Sequence, residues 1–173
     1  FSSDIDLIYL YETDAGVTDG GAEGKPVTLH QYFVRLSEMI TRIVSEVTDD
    51  GFVFRVDLRL RPEGTKGDLA NSLRSAEIYY ESLGQTWERA ALIKARPVAG
   101  DIAVGEEFLR IVTPFVYRKY LDFTSIEEIK EMKDRINLAA ARARKGGRDL
   151  KLGVGGIREI EFFAQAHQLI YGG

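Results

Sequence analysis

Two stretches in which polar and apolar residues alternate predict β-strands, one over residues 4–11 and one over residues 52–61. Because successive side chains of a strand point to opposite faces, Asp4 and Asp6 share one face of the first strand. In the second strand, Asp57 shares its face with arginines and the opposite face is apolar. The arginines are Arg55, Arg59 and Arg61, and the apolar residues are Phe52, Phe54, Val56, Leu58 and Leu60.

Apolar residues three or four positions apart predict helices over most of the remaining chain. The clearest helix follows Thr28, which forms a capping box with Gln31, and runs to about Glu46. We interpret its apolar stripe as core: Leu29, Tyr32, Phe33, Leu36, Met39, Ile40, Ile43, Val44 and Val47. Thr86 is expected to cap one later helix, and Pro114 is expected to open a separate turn. A short strand is predicted at residues 68–73, and further helices at residues 75–83, 87–95, 102–112 and 126–145. Residues 151–162 lead into a last helix that ends at about Tyr171.

These elements predict an α+β fold. Residues 1–73 would form a core with a small mixed sheet that carries the three aspartates, and residues 74–173 a helical region packed on that core. Because the sequence opens inside a strand pattern at Phe1, we expect an upstream part of this core to be missing.

Composition narrows the classes of function. The 173 residues are 45% hydrophobic, which is enough for a core, and the net charge is −4. A chain with this balance has no basic field for nucleic acid, so recognition of phosphate must be local. The absence of cysteine fits a cytoplasmic protein, and no apolar run approaches the length of a membrane span. We therefore expect neither a nucleic-acid nor a membrane partner.

The aspartates are the strongest candidates for chemistry. If the two strands are neighbours, Asp4, Asp6 and Asp57 converge, and hard carboxylate oxygens are the ligands that Mg²⁺ prefers. Guanidinium groups match phosphate oxygens, so the arginines beside these carboxylates favour phosphate chemistry. The alternative is a solvated acidic pair, because a lone Asp-x-Asp is common at strand ends on protein surfaces.

The last predicted helix offers a second, weaker candidate site. A glycine-rich segment leads into it, and free N–H groups at a helix N-terminus can bind an anion. Four polar residues fall on one face: Arg158, Glu161, Gln165 and Gln168. This face lines a cleft or is a stripe exposed to solvent. The opposite side is apolar and includes Ile157, Ile160, Phe163 and Tyr171. We interpret His167, on that side, as a packed histidine and His30 as unremarkable.

Several blocks, in order along nearly the whole chain, resemble the bifunctional glutamine synthetase adenylyltransferase/adenylyl-removing enzymes. The blocks are residues 3–8, 56–64, 87–96, 115–123 and 151–162, with Gln165 and Gln168 after them. The closing block, which contains Gly-Gly-Ile-Arg-Glu-Ile-Glu-Phe, and residues 115–123 resemble the amino-terminal, adenylyl-removing half of that family. This resemblance implies a polymerase-β-like nucleotidyltransferase core.

The resemblance also implies a reaction and a site. Inorganic phosphate would attack the AMP group on a tyrosine of adenylylated glutamine synthetase, releasing ADP and the unmodified enzyme. Asp4, Asp6 and Asp57 would be catalytic and would hold two Mg²⁺ ions, with Mn²⁺ as a possible substitute. Contacts to phosphate or nucleotide would come from Ser3, Arg59, Arg61, Lys94, Lys151, Arg158 and Glu161. The implied partners are glutamine synthetase and the PII signal protein, with phosphate, ADP or ATP as small ligands.

Two alternatives stay open from the sequence. The chain could be the adenylylating half, which transfers AMP from ATP to glutamine synthetase. It could instead be a catalytically silent module that docks on glutamine synthetase or the PII protein.

Overall fold

A computed structural model describes residues 4–21, 24–51, 53–117, 127, 131, 133–134, 138, 150–151 and 155–172. Contacts group the chain into two compact units. Unit 1 comprises residues 1–83 and 96–111, and unit 2 comprises residues 84–95 and 112–173. These units are groups of contacts and not independent domains, so the domain boundary expected after residue 73 stays a prediction.

Four short strands form two parallel pairs in unit 1. Strand β1 (Ile5–Asp6) pairs with β3 (Val56–Asp57), and β2 (Tyr9–Tyr11) pairs with β4 (Ala70–Ser72). Parallel neighbours need a long crossover connection, and helix α1 (Leu29–Ser45) lies within the crossover. The expectation of a mixed sheet is therefore wrong for these strands, because both pairs are parallel.

The strands are much shorter than the alternation predicted. Residues 4–11 divide into β1 and β2 with a break between them, and of the described residues 53–61 only two are strand. After Asp57 the chain turns, with the Gly64 N–H donating to the Arg61 carbonyl at 2.8 Å. The apolar face is also partly open to solvent: Phe54 is exposed, while Val56, Leu58 and Leu60 are half-buried. Phe52 lies outside the described residues.

Helix α1 has the predicted start but not the predicted burial. The Thr28–Gln31 capping box is confirmed, since the Gln31 N–H donates to the Thr28 hydroxyl at 3.2 Å and the Thr28 N–H to the Gln31 side chain at 3.3 Å. The helix contacts β3 and β4, which are only two and three residues long and cannot cover a wide stripe. Five residues interpreted as core are therefore exposed: Tyr32, Met39, Ile40, Ile43 and Val47.

The rest of unit 1 packs around β2 and β4. Helix α2 (Leu73–Ser82) starts directly after β4, two residues earlier than predicted, and Ser72 caps it by accepting from the Ser75 N–H at 3.2 Å. A 3₁₀ turn (Gly64–Lys66) precedes β4. The buried hydrophobic residues of this unit are Tyr11, Ala70, Ala76, Tyr80 and Phe108.

Unit 2 is helical in the part that the structure describes. Helix α3 (Thr86–Leu92) is capped by Gln85 rather than Thr86, and it contacts α5 (Ile157–Tyr171). Helix α4 (Ile102–Val116), whose last residues belong to this unit, continues past Pro114, so no separate turn begins there. The helix predicted at residues 126–145 lies mostly outside the described residues. None of the helices described in either unit is long and apolar enough to cross a membrane.

Candidate active site

The register of β1 and β3 brings the predicted carboxylates together. Asp6 lies opposite Asp57, and Ile5 lies opposite Val56, which sets Asp4 beside Arg55. Backbone hydrogen bonds fix this register on both sides, from the Ile5 N–H to the Arg55 carbonyl at 2.8 Å and from the Leu7 N–H to the Asp57 carbonyl at 3.0 Å. The expectation that the two strands are neighbours is confirmed. We refer to Asp4, Asp6 and Asp57 as the carboxylate row.

Arginines bind both ends of the carboxylate row. The Arg55 Nε lies 2.6 Å from Asp4 Oδ1. Arg59 donates to Asp57 through its backbone N–H at 2.9 Å and through Nε at 3.0 and 2.9 Å to the two carboxylate oxygens, with a further bond from its terminal nitrogen. Within the described residues, the carboxylate of Asp6 makes no hydrogen bond or ion pair. The middle of the row is therefore the part that the arginines do not neutralise directly.

The electrostatics of the row follow from this arrangement. Hydrogen bonds from Arg59 hold the pKa of Asp57 below its usual range. Partial withdrawal of the Asp6 carboxyl from water raises the pKa of Asp6, although the residue is exposed overall, and repulsion from Asp57 and Asp4 raises it further. Hydrogen bonding to Asp57 raises the pKa of Arg59, and the charges of Asp4 and Asp6 add to that effect. The three carboxylates thus share one local field.

A divalent cation fits the chemistry of this row. Three carboxylates supply the hard oxygen donors that Mg²⁺ and Mn²⁺ bind, and a cation would relieve the repulsion that acts on Asp6. Nevertheless, no group of three or more His, Asp or Glu side chains within the described residues is arranged to hold a metal ion. Oxygens of Asp4 and Asp57 are instead directed at guanidinium groups.

Arg61 takes a position that the strand prediction did not foresee. Its guanidinium donates to the carbonyls of Leu58 at 2.7 Å and of Gly67 and Asp68 at 3.2 Å, so it closes the loop after β3. Gly67 is required there, since a Cβ at this position would lie 2.2 Å from the Pro62 carbonyl oxygen. A phosphate contact from Arg61 stays a prediction and would require these bonds to break.

Unit 2 brings two other predicted residues together. Lys94 Nζ lies 3.1 Å from Glu161 Oε1, at the contact between α3 and α5. At the α5 N-terminus the N–H groups of Ile157 and Arg158 are not free to bind an anion, because they donate to the carbonyls of residues 150 and 151 at 3.0 and 3.1 Å. The Gly155 N–H likewise donates to Glu159 at 2.7 Å. Ser3 lies outside the described residues.

The inward face of α5 differs from the prediction. Leu169 is its buried residue, and the side expected to be packed is exposed, with Ile157, Ile160, Phe163 and Tyr171 between 56% and 77% accessible. His167 is exposed as well, with its ring centroid 4.6 Å from that of Phe163 and 5.8 Å from that of Tyr171. Glu161 on the polar side meets Lys94. The contact with α3 therefore involves the polar side of the helix.

Sequence reasoning missed a second group of polar residues in unit 1, which we call the Tyr11 network: Tyr11, Asp14, His30 and Ser72. The hydroxyls of Tyr11 and Ser72 each donate to Asp14 at 2.5 Å, and the Tyr11 oxygen lies 2.9 Å from His30 Nδ1. His30 Nε2 also lies 3.4 Å from Asp68. Hydrogen bonds from Ser72 and Tyr11 lower the pKa of Asp14, while burial and then Asp14 raise the pKa of Tyr11. The available signal was Ser72, a good N-cap type directly before a helix.

A mixed α/β fold with short parallel strand pairs and a row of carboxylates is compatible with a nucleotidyltransferase. The chain belongs to the glutamate-ammonia ligase adenylyltransferase family, whose model matches residues 1–111. Residues 126–173 match a second model, GlnD PII-uridylyltransferase.

Curated relatives match over the whole chain. The bifunctional glutamine synthetase adenylyltransferase/adenylyl-removing enzymes of Thioalkalivibrio sulfidiphilus and Xanthomonas campestris are 52% and 49% identical over 173 residues, and that of Agrobacterium fabrum is 50% identical over 180. In each case the match covers 100% of this chain but only 17% or 18% of the relative. The chain thus spans about one sixth of the length of the relatives that it matches.

Proposed function

We propose that this chain carries the nucleotidyltransferase core of an adenylyl-removing unit that acts on glutamine synthetase by phosphorolysis. The observation that carries the proposal is the pairing of Asp6 with Asp57 in a row of carboxylates with an arginine at each end. The family is named for adenylyl transfer, and the relatives are named for both adenylyl transfer and adenylyl removal.

In the proposed phosphorolysis, the carboxylates and Arg59 have different roles. Inorganic phosphate attacks the phosphorus of the AMP group, the bond to the tyrosine oxygen breaks, and ADP and unmodified glutamine synthetase leave. Asp4, Asp6 and Asp57 would hold divalent cations, Mg²⁺ or Mn²⁺, which stabilise charge on the attacking and leaving oxygens. The Arg59 side chain is 74% exposed and pairs with Asp57, and its guanidinium is suited to bind phosphate oxygens once a cation takes its place at Asp57.

Residues of unit 2 have a less defined place in this proposal. The candidates in this unit for contacts to phosphate or nucleotide are still Lys94, Lys151, Arg158 and Glu161. The ion pair between Lys94 and Glu161 means that neither would act as an isolated charge. The second family match, to a PII-uridylyltransferase, supports the PII signal protein as a partner beside glutamine synthetase.

The direction of transfer rests on the closing sequence block. Its Gly-Gly-Ile-Arg-Glu-Ile-Glu-Phe form resembles the adenylyl-removing half, whereas the adenylylating half is the second candidate because the same carboxylates would serve transfer of AMP from ATP. The exposed apolar side of α1 favours a third reading, in which the chain serves as a docking module without turnover.

Product analysis tests the proposal. The protein is incubated with adenylylated glutamine synthetase and Mg²⁺, with and without phosphate, and ADP and pyrophosphate are measured. We expect the wild type to release ADP only when phosphate is present. Asp57→Asn should release no ADP, whereas Asp50→Asn, the matched change at an exposed turn, should release as much ADP as the wild type. Pyrophosphate made from ATP and unmodified glutamine synthetase would support the adenylylating half instead. Binding of glutamine synthetase without either product would support the docking module.

A further inference from the structure

We infer that Arg61 is a positioning residue, which holds the loop after β3 closed and through that loop fixes the direction of the Asp57 carboxylate. This inference rests on the proposed function, in which Asp57 belongs to the site. It gives Arg61 a role in the reaction that needs no contact with phosphate. The alternative is the phosphate contact that the family resemblance implies.

The Arg61 guanidinium connects the two ends of this loop. At the first end, its Nη1 donates at 2.7 Å to the carbonyl of Leu58, the residue directly after Asp57. At the other end, Nε and Nη2 donate to the Gly67 carbonyl and Nε also donates to the Asp68 carbonyl, all at 3.2 Å. Because all the acceptors are main-chain carbonyls, these bonds fix the path of the backbone. A guanidinium can make them together because it presents its donors in a rigid plane.

The backbone of the loop is tightly folded and needs contacts that hold it. Glu63 is left-handed at φ 60°, which is uncommon for a residue other than glycine. Gly67 passes so close to Pro62 that a Cβ would lie 2.2 Å from the Pro62 carbonyl oxygen. Strained backbone of this kind persists only when the surrounding structure holds it. The bonds from Arg61 to the Gly67 carbonyl are contacts of this kind.

The start of the loop sets the direction of the Asp57 carboxylate. The Arg59 N–H donates to Asp57 Oδ1 at 2.9 Å, so the orientation of the carboxylate depends on where the backbone of Arg59 lies. The Leu58 carbonyl, on the adjoining peptide, accepts from the Arg61 N–H at 3.4 Å as well as from its guanidinium. If the loop opens, the Arg59 N–H moves away from Asp57, and the Arg59 guanidinium moves with it. Arg61 therefore acts on two residues of the site without touching the reacting atoms.

Three variants of the loop separate position from contact. Arg61→Gln removes the charge and the rigid donor plane. Arg61→Lys keeps a charge that still binds phosphate but cannot connect the same carbonyls. Gly67→Ala does the converse, because its Cβ would force the Pro62 carbonyl away and open the loop while Arg61 itself is unchanged. Arg74→Gln is the control, since this arginine of the same unit is 70% exposed and pairs with Glu77 on the surface of α2.

The first measurement is amide hydrogen exchange by NMR, on the free wild type, the three loop variants and the control. In the loop variants we expect the Arg59 N–H to exchange roughly twofold to tenfold faster than in wild type, the range for loss of one hydrogen bond. The Ile5 N–H, which donates to the Arg55 carbonyl at 2.8 Å, should keep its wild-type rate and so shows that a variant is folded. Exchange at Arg59 that is unchanged in folded loop variants would overturn the inference.

The second measurement is the release of ADP from adenylylated glutamine synthetase at saturating phosphate. All three loop variants should lose roughly 10–100-fold in kcat, as when groups that orient a site are removed, and the control should match wild type. Full turnover in Arg61→Lys or Gly67→Ala, or a rate in Arg61→Gln that recovers at high phosphate, would overturn the inference in favour of a phosphate contact. If wild type releases no ADP while the loop variants still free the Arg59 N–H, the proposed function fails, whereas the hold of Arg61 on Asp57 is supported.

Discussion

Unit 1 contains two groups of acidic side chains that the fold treats in opposite ways. In the Tyr11 network, Asp14 accepts hydrogen bonds from Tyr11 and Ser72, and these bonds lower its pKa. In the carboxylate row, partial withdrawal from water raises the pKa of Asp6, and the like charges of Asp57 and Asp4 raise it further. An acid whose charge is satisfied by hydrogen bonds stabilises a fold, whereas a carboxylate under repulsion from like charges is typical of functional sites. By this comparison, Asp14 is the acid that stabilises the fold and Asp6 is the acid that is available for chemistry.

The largest expected effect tests this separation through activity. Asp6→Asn should lower phosphorolysis by more than the roughly 10–100-fold typical of residues that only orient metal ligands. Asp14→Asn makes the same chemical change in the other group and should keep turnover within a few-fold of wild type, at a temperature where both variants are folded. ADP release from adenylylated glutamine synthetase is the measurement. Equal losses in the two variants would show that the network, too, takes part in chemistry.

The next effect concerns stability. Ser72 is fully buried, donates to Asp14 and caps α2 by accepting from the Ser75 N–H. Ser72→Ala removes both bonds and should lower the free energy of unfolding by about 1–2 kcal/mol. Urea denaturation measures this change. Ser75→Ala is the matched control, since its exposed hydroxyl is removed while its backbone N–H still meets Ser72. A Ser72→Ala protein as stable as the control would mean that the network contributes nothing to the fold.

Local sequence patterns predicted the carboxylate row better than its surroundings. To predict the carboxylate row, it was enough to recognise two alternating strands and to assume that they are neighbours. To predict the capping box of α1, it was enough to compare residues three positions apart. The bond between Ser72 and Asp14 joins residues 58 positions apart, and no local pattern contains that information.

Burial was predicted less well than position. The α1 stripe was interpreted as core because its spacing is helical, yet spacing does not show how much surface the neighbouring strands offer. With strands of two or three residues, Ile43 stays 64% exposed. The same limit applies to arginines: alternation placed Arg55 and Arg61 on one face, but Arg55 contacts Asp4 and Arg61 contacts loop carbonyls after the chain has turned.

The smallest effect is the sharpest form of the comparison, because the two acids should respond to pH with opposite signs. Asp14 has a folded-state pKa below the ordinary aspartate value of 3.8, so between these two pKa values the unfolded chain binds more protons. Its contribution to stability is complete above about 3.8 and is lost as pH falls through the folded-state pKa. Asp6 has a folded-state pKa above 3.8, so the folded protein binds more protons between these values. Its contribution is therefore unfavourable once pH rises above its folded-state pKa.

Urea denaturation from pH 7 to pH 3 on wild type, Asp14→Asn and Asp6→Asn measures the sign of each contribution to stability. The difference in the free energy of unfolding between a variant and the wild type reports the contribution of the acid that was replaced. At pH 7 we expect Asp14→Asn to be less stable than wild type and Asp6→Asn slightly more stable. Both differences should shrink as the acids protonate. Both groups are exposed and screened by solvent, so each contribution should be on the order of 0.2–1 kcal/mol. If both variants lose stability at pH 7, Asp6 is not under repulsion from Asp4 and Asp57. The contrast between a stabilising and a functional acid would then fail, even if the activity results agreed with it.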